Sequence, residues 1–192
     1  MTIAVQPKTN TLSLEEFLEI PETKPASELI DGQIYQKPMP QGKHSTLQGR
    51  FTTIINQRGE SEQLAFAFPV LRCTFAERSL VPDICVFEWA NIPLDADGEI
   101  LDKIELAPDW MIEILSPEQS SILVIDKISF ALKHGTKLGW LIAPNEKTVL
   151  TFQGDRFNSH KDDDILPVLD VFHNWQLSVA DLFDLLTFPT KK

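Results

Sequence analysis

One run constrains this chain more than any other: Trp110-Met111-Ile112-Glu113-Ile114-Leu115, closed by Ser116-Pro117. Apolar residues on both alternations read as a strand buried on both faces. A lone glutamate inside such a strand is costly unless a cation or a ligand meets it. Earlier in the chain, Leu80-Val81-Pro82-Asp83-Ile84-Cys85-Val86-Phe87 repeats the arrangement with Asp83 as its single acid. The ordinary reading of each acid alone is a strand-end residue that caps a turn or pairs with an arginine. Two buried strands with one acid each point instead to a shared site.

The rest of the composition sets bounds on that site. A chain of 192 residues, 43% hydrophobic and 23% charged, is expected to form one domain with a real core. We expect a flexible tail over residues 1–12 and a single domain over residues 13–188. No run approaches the roughly 18 apolar residues of a membrane span. Met1 to Asn10 lacks an apolar signal core, so a cytoplasmic protein is expected. Cys73 and Cys85 lie in apolar runs without metal spacing, so they read as buried, reduced thiols. The net charge of −11 argues against a protein that coats nucleic acid. The charge is uneven, however. Lys37, Lys43, Arg50 and Arg58 share a stretch with His44 and no acid, whereas Asp95 to Glu113 holds seven acids and only Lys103. A local basic face and an ordinary solvated surface both fit that pattern.

Along the chain, Ser13 and Glu16 form a capping box for a short helix over 14–19. Asp31-Gly32 between strand-forming residues predicts a hairpin. Leu47, Phe51, Ile54 and Ile55 predict a helix from His44 to about Gly59. Strands are expected over 64–75, with Pro69 as an irregularity, and over 81–87. Residues 91–108 read as an acidic surface loop. A helix over 122–134, stopped by Gly135, precedes a buried strand at Leu138–Ala143. A hairpin turning at Gly154-Asp155 and a last amphipathic helix capped by Ser178 and Asp181 complete the chain. The expected class is mixed α/β, a mixed central sheet flanked by helices.

Carboxylates on adjacent buried strands suit a hard divalent cation. Mg²⁺, with Mn²⁺ as substitute, takes one or two protein carboxylates and keeps several waters. Asp83 and Glu113 supply two ligands, and the Ile114 carbonyl a third oxygen. A metal there would polarise a phosphoryl oxygen and activate a water. A lysine would support that water, and Lys127 is the candidate because its helix follows the Glu113 strand. On spacing alone, Lys127 also reads as an ordinary surface lysine.

These residues, taken in order, carry a resemblance. They run Val81-Pro82-Asp83, Ile112-Glu113-Ile114-Leu115-Ser116-Pro117, Lys127 ahead of Gly135, and Gly139-Trp140-Leu141-Ile142-Ala143-Pro144. Glu28-Leu29-Ile30-Asp31-Gly32 with His44 precedes them, and Leu177 to Phe183 follows. The set resembles the Uma-type putative restriction endonucleases, a bacterial family of the PD-(D/E)XK nuclease superfamily. The resemblance implies a restriction-endonuclease-like core and a Mg²⁺ site at Asp83 and Glu113. It also implies a role for Glu28 as a further ligand or as a group that tunes the site, and it brings His44 towards the cleft. As an isolated residue, Glu28 also reads as a strand-edge acid and His44 as a partly exposed helical residue. The superfamily's Glu-x-Lys would put lysine at position 115, where this chain has Leu115, so Lys127 takes that place. The family's acid before that lysine, its aromatic after it and its Asp before the final Pro are here Leu123, Ala131 and Ala143.

Three functions fit. The first is a Mg²⁺-dependent DNA endonuclease, expected from the resemblance to work as a homodimer. The second is a catalytically inactive or weak module of the same fold that binds nucleic acid or protein. The third, a hydrolase of small phosphate esters, lacks a glycine-rich phosphate cradle.

Overall fold

The computed structural model describes residues 11–117 and 119–189. Residues 1–10, most of the expected tail, lie outside the described residues. Leu12 is docked, its N–H donating to the Gly32 carbonyl at 2.9 Å. The first helix, α1 (Leu14–Leu18), starts with the expected capping box: Ser13 Oγ accepts the Glu16 N–H at 3.1 Å and Glu16 Oε2 accepts the Ser13 N–H at 2.9 Å. Strands β1 (Ser27–Ile30) and β2 (Gln33–Gln36) join at Asp31 and Gly32, with φ of 50° and 74°. Positive φ at both positions is the two-residue type I′ hairpin turn, which Asp-Gly adopts readily. Helix α2 (Gly42–Gly59) follows and buries Leu47, Phe51 and Ile55. Then come β3 (Ala65–Pro69), β4 (Cys73–Phe75), β5 (Arg78–Leu80) and β6 (Ile84–Glu88). Beyond the acidic loop lie β7 (Trp110–Ile114), α3 (Ser121–Lys133) and β8 (Leu138–Ala143). The hairpin β9 (Thr148–Gln153) and β10 (Arg156–His160) and helix α4 (Val179–Asp184) close the chain.

A six-stranded sheet runs in the order β10-β9-β8-β7-β6-β3. Only β7 and β8 pair in parallel within it, joined by α3 as the crossover; the other neighbours are antiparallel. The fold is the expected mixed α/β class, a mixed central sheet flanked by helices. Alternation along β7 sorts the core. Trp110, Ile112 and Ile114 face α2 and α4, packing with Phe51, Ile55 and Leu182. Met111 faces the other way, with Val124 and Ile128 of α3 and with Cys85 and Phe87 of β6. Glycine at 139 lets α3 press onto the sheet, since a Cβ there would lie 2.2 Å from Ile128 Cγ2.

The structure corrects the strand reading in two places. Residues 64–75 are not one strand: Val70, at φ 51°, turns the chain out of the large sheet, and β4 enters a second sheet of order β2-β1-β5-β4. Asp83 does not lie within a strand either. β5 belongs to the small sheet and β6 begins only at Ile84, so Val81-Pro82-Asp83 is the link between the two sheets. The last helix is also shorter than its apolar pattern, with Leu185 as its C-cap. Cys73 and Cys85 are buried free thiols 3.6 Å apart.

Candidate active site

The two acids that organise the sequence meet at the end of the β6–β7 pair. Ile84 pairs with Ile112, so continuing the register by one residue sets Asp83 opposite Glu113. Both are buried, at 4% and 1% exposure. What lies between them is a lysine that sequence reasoning did not single out. Lys37 Nζ stands 2.7 Å from Asp83 Oδ1 and 3.2 Å from Glu113 Oε2, and it donates to the Val81 carbonyl at 2.7 Å.

Asp83 is held from three further directions. Its Oδ2 accepts the Ile114 N–H at 2.7 Å and lies 3.0 Å from His44 Nε2. Its carbonyl accepts from Gln48 Nε2 at 2.7 Å. His44 and Gln48 are four apart on α2 and therefore share a face. One takes the carboxylate and the other the backbone, which fixes the link between the sheets against the helix. His44 is buried, not partly exposed. The Ile114 N–H is free for Asp83 because Ile114 lies beyond the last paired residues of β6 and β7. In an extended residue N–H and C=O leave the same strand edge, so the Ile114 carbonyl belongs to this edge too.

Lys127 and Glu28 form the floor. Lys127 is 1% exposed, so it is not the surface lysine that its spacing also allowed. Its Nζ meets Glu28 Oε1 and Oε2 at 3.2 and 2.9 Å and Glu113 Oε1 at 2.8 Å. Glu28, on β1, also accepts the Val81 N–H at 2.8 Å. Its two oxygens are thus engaged by Lys127 and the inter-sheet link. Next to Lys127, Asp126 joins Arg78 at 3.0 Å, and Arg78 holds Asp31 at 3.0 and 2.8 Å while lying over the Phe130 ring. This clamp ties α3 to the first hairpin and so fixes where Lys127 points.

The electrostatics follow from burial and pairing. Burial disfavours the Asp83 carboxylate, but Lys37 and His44 overcome it and hold the carboxyl well below its usual range. Burial also works against the charge of Lys37, yet Glu113, Asp83 and Glu28 keep it protonated far above the ordinary lysine range. Lys127 is raised in the same way by Glu113 and Glu28. For Glu113 burial dominates and raises the carboxyl, against the pull of Lys127 and Lys37.

The donor set suits a hard cation. Two carboxylates converge on one cation position, and the Ile114 carbonyl lies on the same edge. Glu113 Oε1 meets Lys127 off the hydrogen-bonding direction, so it makes no directed hydrogen bond. Among the described residues no group of three or more His, Cys, Asp or Glu side chains is arranged to hold a metal ion by itself. The arrangement therefore resembles an oxygen site that retains waters, not a closed site of nitrogen and sulfur ligands.

Sequence reasoning named five of the side chains gathered here: Asp83, Glu113, Lys127, Glu28 and His44. It missed Lys37 and Gln48. Gln48 carried a signal in its helical spacing from His44; Lys37 carried only its place in a basic stretch without acids. That stretch does not form a continuous basic face. Arg50 donates to the carbonyls of Leu185 and Thr187 and lies over Phe188, and Arg58 lies over Trp175. Lys37 points into the site, and Lys43 bonds Asn145 at 3.2 Å.

The comparisons agree with this architecture. The Uma2 family, described as putative restriction endonuclease, matches residues 14–180. A crystal structure of a putative nuclease belonging to DUF820 from Anabaena variabilis ATCC 29413 is 47% identical in sequence. It matches with a TM-score of 0.89 over 92% of this chain and 99% of that one. No curated protein matches the chain. No helix among the described residues is long and apolar enough to cross a membrane.

Proposed function

This chain belongs to the Uma2 putative restriction endonuclease family, and from that premise we propose that it is a Mg²⁺-dependent DNA endonuclease hydrolysing phosphodiester bonds. The observation that carries the reading is the meeting of Asp83 and Glu113 across a single cation position, with Lys37 Nζ 2.7 and 3.2 Å from them. Asp83 and Glu113, with the Ile114 carbonyl, would hold the metal. The metal, when bound, would polarise the phosphate and supply an activated water. Mn²⁺ would serve as a substitute.

The chain's own residues divide the remaining work. His44 and Gln48 hold Asp83 in place, and Lys127 holds Glu113 with Glu28 behind it. Lys127 is enclosed by these two acids, so it positions a metal ligand and does not reach for the water itself. Cleavage of duplex DNA on both strands would employ a homodimer, and the setting would be the cytoplasm.

A second reading keeps the fold and drops the chemistry. It is favoured by Lys37, whose ammonium already occupies the position between the two carboxylates and offsets one of their charges, and by Leu115 in place of the superfamily lysine. One experiment separates the two. Melting curves of wild type and of the Asp83→Ala/Glu113→Ala double variant are recorded with and without Mn²⁺. An ion that binds only the native state raises the melting temperature. The endonuclease reading expects a rise in wild type alone, accompanied by Mn²⁺-dependent cleavage of plasmid DNA. The absence of both would leave the non-catalytic module.

A further inference from the structure

Lys37 is unlike Lys127 in where it is rooted. Its backbone follows β2 directly, with its N–H donating to the Ala26 carbonyl at 2.9 Å, and Pro38 comes next. Its side chain is 11% exposed, against 1% for Lys127, so it enters the acid cluster from the solvent side. There its three ammonium protons meet three oxygens, those of Val81, Asp83 and Glu113. Two of these oxygens belong to the carboxylates that would ligate the metal.

Charge makes the position exclusive. By formal charge Asp83, Glu113 and Glu28 bring three negative charges, and Lys127 offsets one. The remaining two match one divalent ion. They are met here by the single charge of Lys37, and a divalent ion bound to the same oxygens would repel that ammonium at close range. Lys127 cannot yield, because it is closed in by Glu28 and Glu113 and its helix is clamped through Asp126 and Arg78. Lys37 can, because a flexible four-carbon stem at the mouth lets its head swing into water.

We infer, resting on the metal-dependent reading above, that Lys37 is a tethered counter-cation of the Asp83–Glu113 pair. A divalent ion binds by displacing its ammonium, which then faces the phosphate held on that ion. Lys37, not Lys127, is thereby the lysine at the open side of the metal, and it faces the phosphate, whereas the sequence suggested Lys127 as the support of the water. It weakens metal binding when no substrate is present and supports the phosphate's charge when one is.

The test is a calorimetric Mn²⁺ titration of wild type and Lys37→Met, with cleavage of plasmid DNA at saturating Mn²⁺. Methionine keeps most of the stem and removes the charge. Lys37→Met is expected to bind Mn²⁺ at least about tenfold more tightly than wild type. Its cleavage at saturation is expected to fall about 100-fold, the scale of losing one charge-stabilising donor. Mn²⁺ binding only to Lys37→Met also supports displacement. Equal or weaker binding by Lys37→Met, with wild type binding, overturns displacement but leaves the metal site standing. Binding by neither overturns both. Tighter binding with cleavage equal to wild type overturns the phosphate-facing part. A wild type that binds Mn²⁺ but cuts no DNA removes the endonuclease reading and that part with it, while the titration still decides displacement. Should Lys37→Met not melt cooperatively, Lys37→Gln replaces it, since its amide can still donate to the Val81 carbonyl.

Discussion

His44 Nε2 stands 3.0 Å from Asp83 Oδ2, and both side chains are buried. An ionised carboxylate only accepts, so Nε2 is the donor. The contact crosses from the first turns of α2 to the inter-sheet link and aims Asp83 at the cation position. His44→Ala is therefore expected to weaken Mn²⁺ binding while leaving Asp83 in the chain. It should also lower stability by about 1.5–3 kcal/mol, the range for a hydrogen bond to a charged group. His44→Gln, which restores a donor of similar reach, should recover part of the affinity. Calorimetric titration and urea unfolding read the two effects; unchanged Mn²⁺ affinity in His44→Ala would show that His44 does not position the ligand.

Asp83 also makes the metal-free fold depend on pH. Its carboxyl titrates below the unfolded value of 3.8, because Lys37 and His44 outweigh the penalty of burial. A depressed folded pKa adds stability that is fully present above the unfolded value and is lost as pH falls through the folded one. Asp83→Asn cannot ionise and lacks that contribution. Urea unfolding in EDTA should therefore show a gap between wild type and Asp83→Asn that is steady near neutrality. Below about pH 3.8 the gap should narrow. A gap that widens on acidification would contradict the sign.

Lys127 illustrates how burial changes the meaning of a residue. A surface helical lysine can be lost at little cost, but Lys127→Met would leave Glu28 and Glu113 facing each other without their shared cation. Breaking a buried ion pair by removing one partner costs about 3–5 kcal/mol. Glu28→Gln in the same chain removes one stranded charge and should return part of that loss. The two residues are in contact, so their effects are expected to be non-additive. A double-mutant cycle by urea unfolding measures this. A loss under about 0.5 kcal/mol for Lys127→Met, the scale of an inert surface substitution, would refute the pairing.

The parts of the fold legible in the sequence are those whose pattern is local. The apolar alternations of β7 announced burial on both faces, and Asp31-Gly32 announced its own turn. Glu113 stood out because a charge in such a strand demands a partner. Lys37 could not be read in this way. Its acceptors lie 44 to 76 residues away in sequence, and nothing periodic marks it. The small sheet was hidden for a different reason. Strands β4 and β5 have only three residues each, and the turn between them is Ala76-Glu77, with no glycine, asparagine or aspartate to announce it.

That turn is the basis of a last prediction. Ala76 and Glu77 have φ of 46° and 62°, both in the left-handed region. β-Carbon crowding makes this region unfavourable for ordinary residues by about 1–2 kcal/mol each. Asn-Gly is the preferred pair for a two-residue turn with positive φ at both positions. Ala76→Asn/Glu77→Gly should therefore relieve strain at both positions. Glycine gives back some of the gain through the greater freedom of the unfolded chain. A net stabilisation of about 1 kcal/mol is expected. The turn leads into Arg78, whose bonds to Asp31 and Asp126 help fix Lys127. The variant should thus raise the urea midpoint without weakening Mn²⁺ binding. A lowered midpoint would mean that the two residues are held by contacts worth more than their backbone strain.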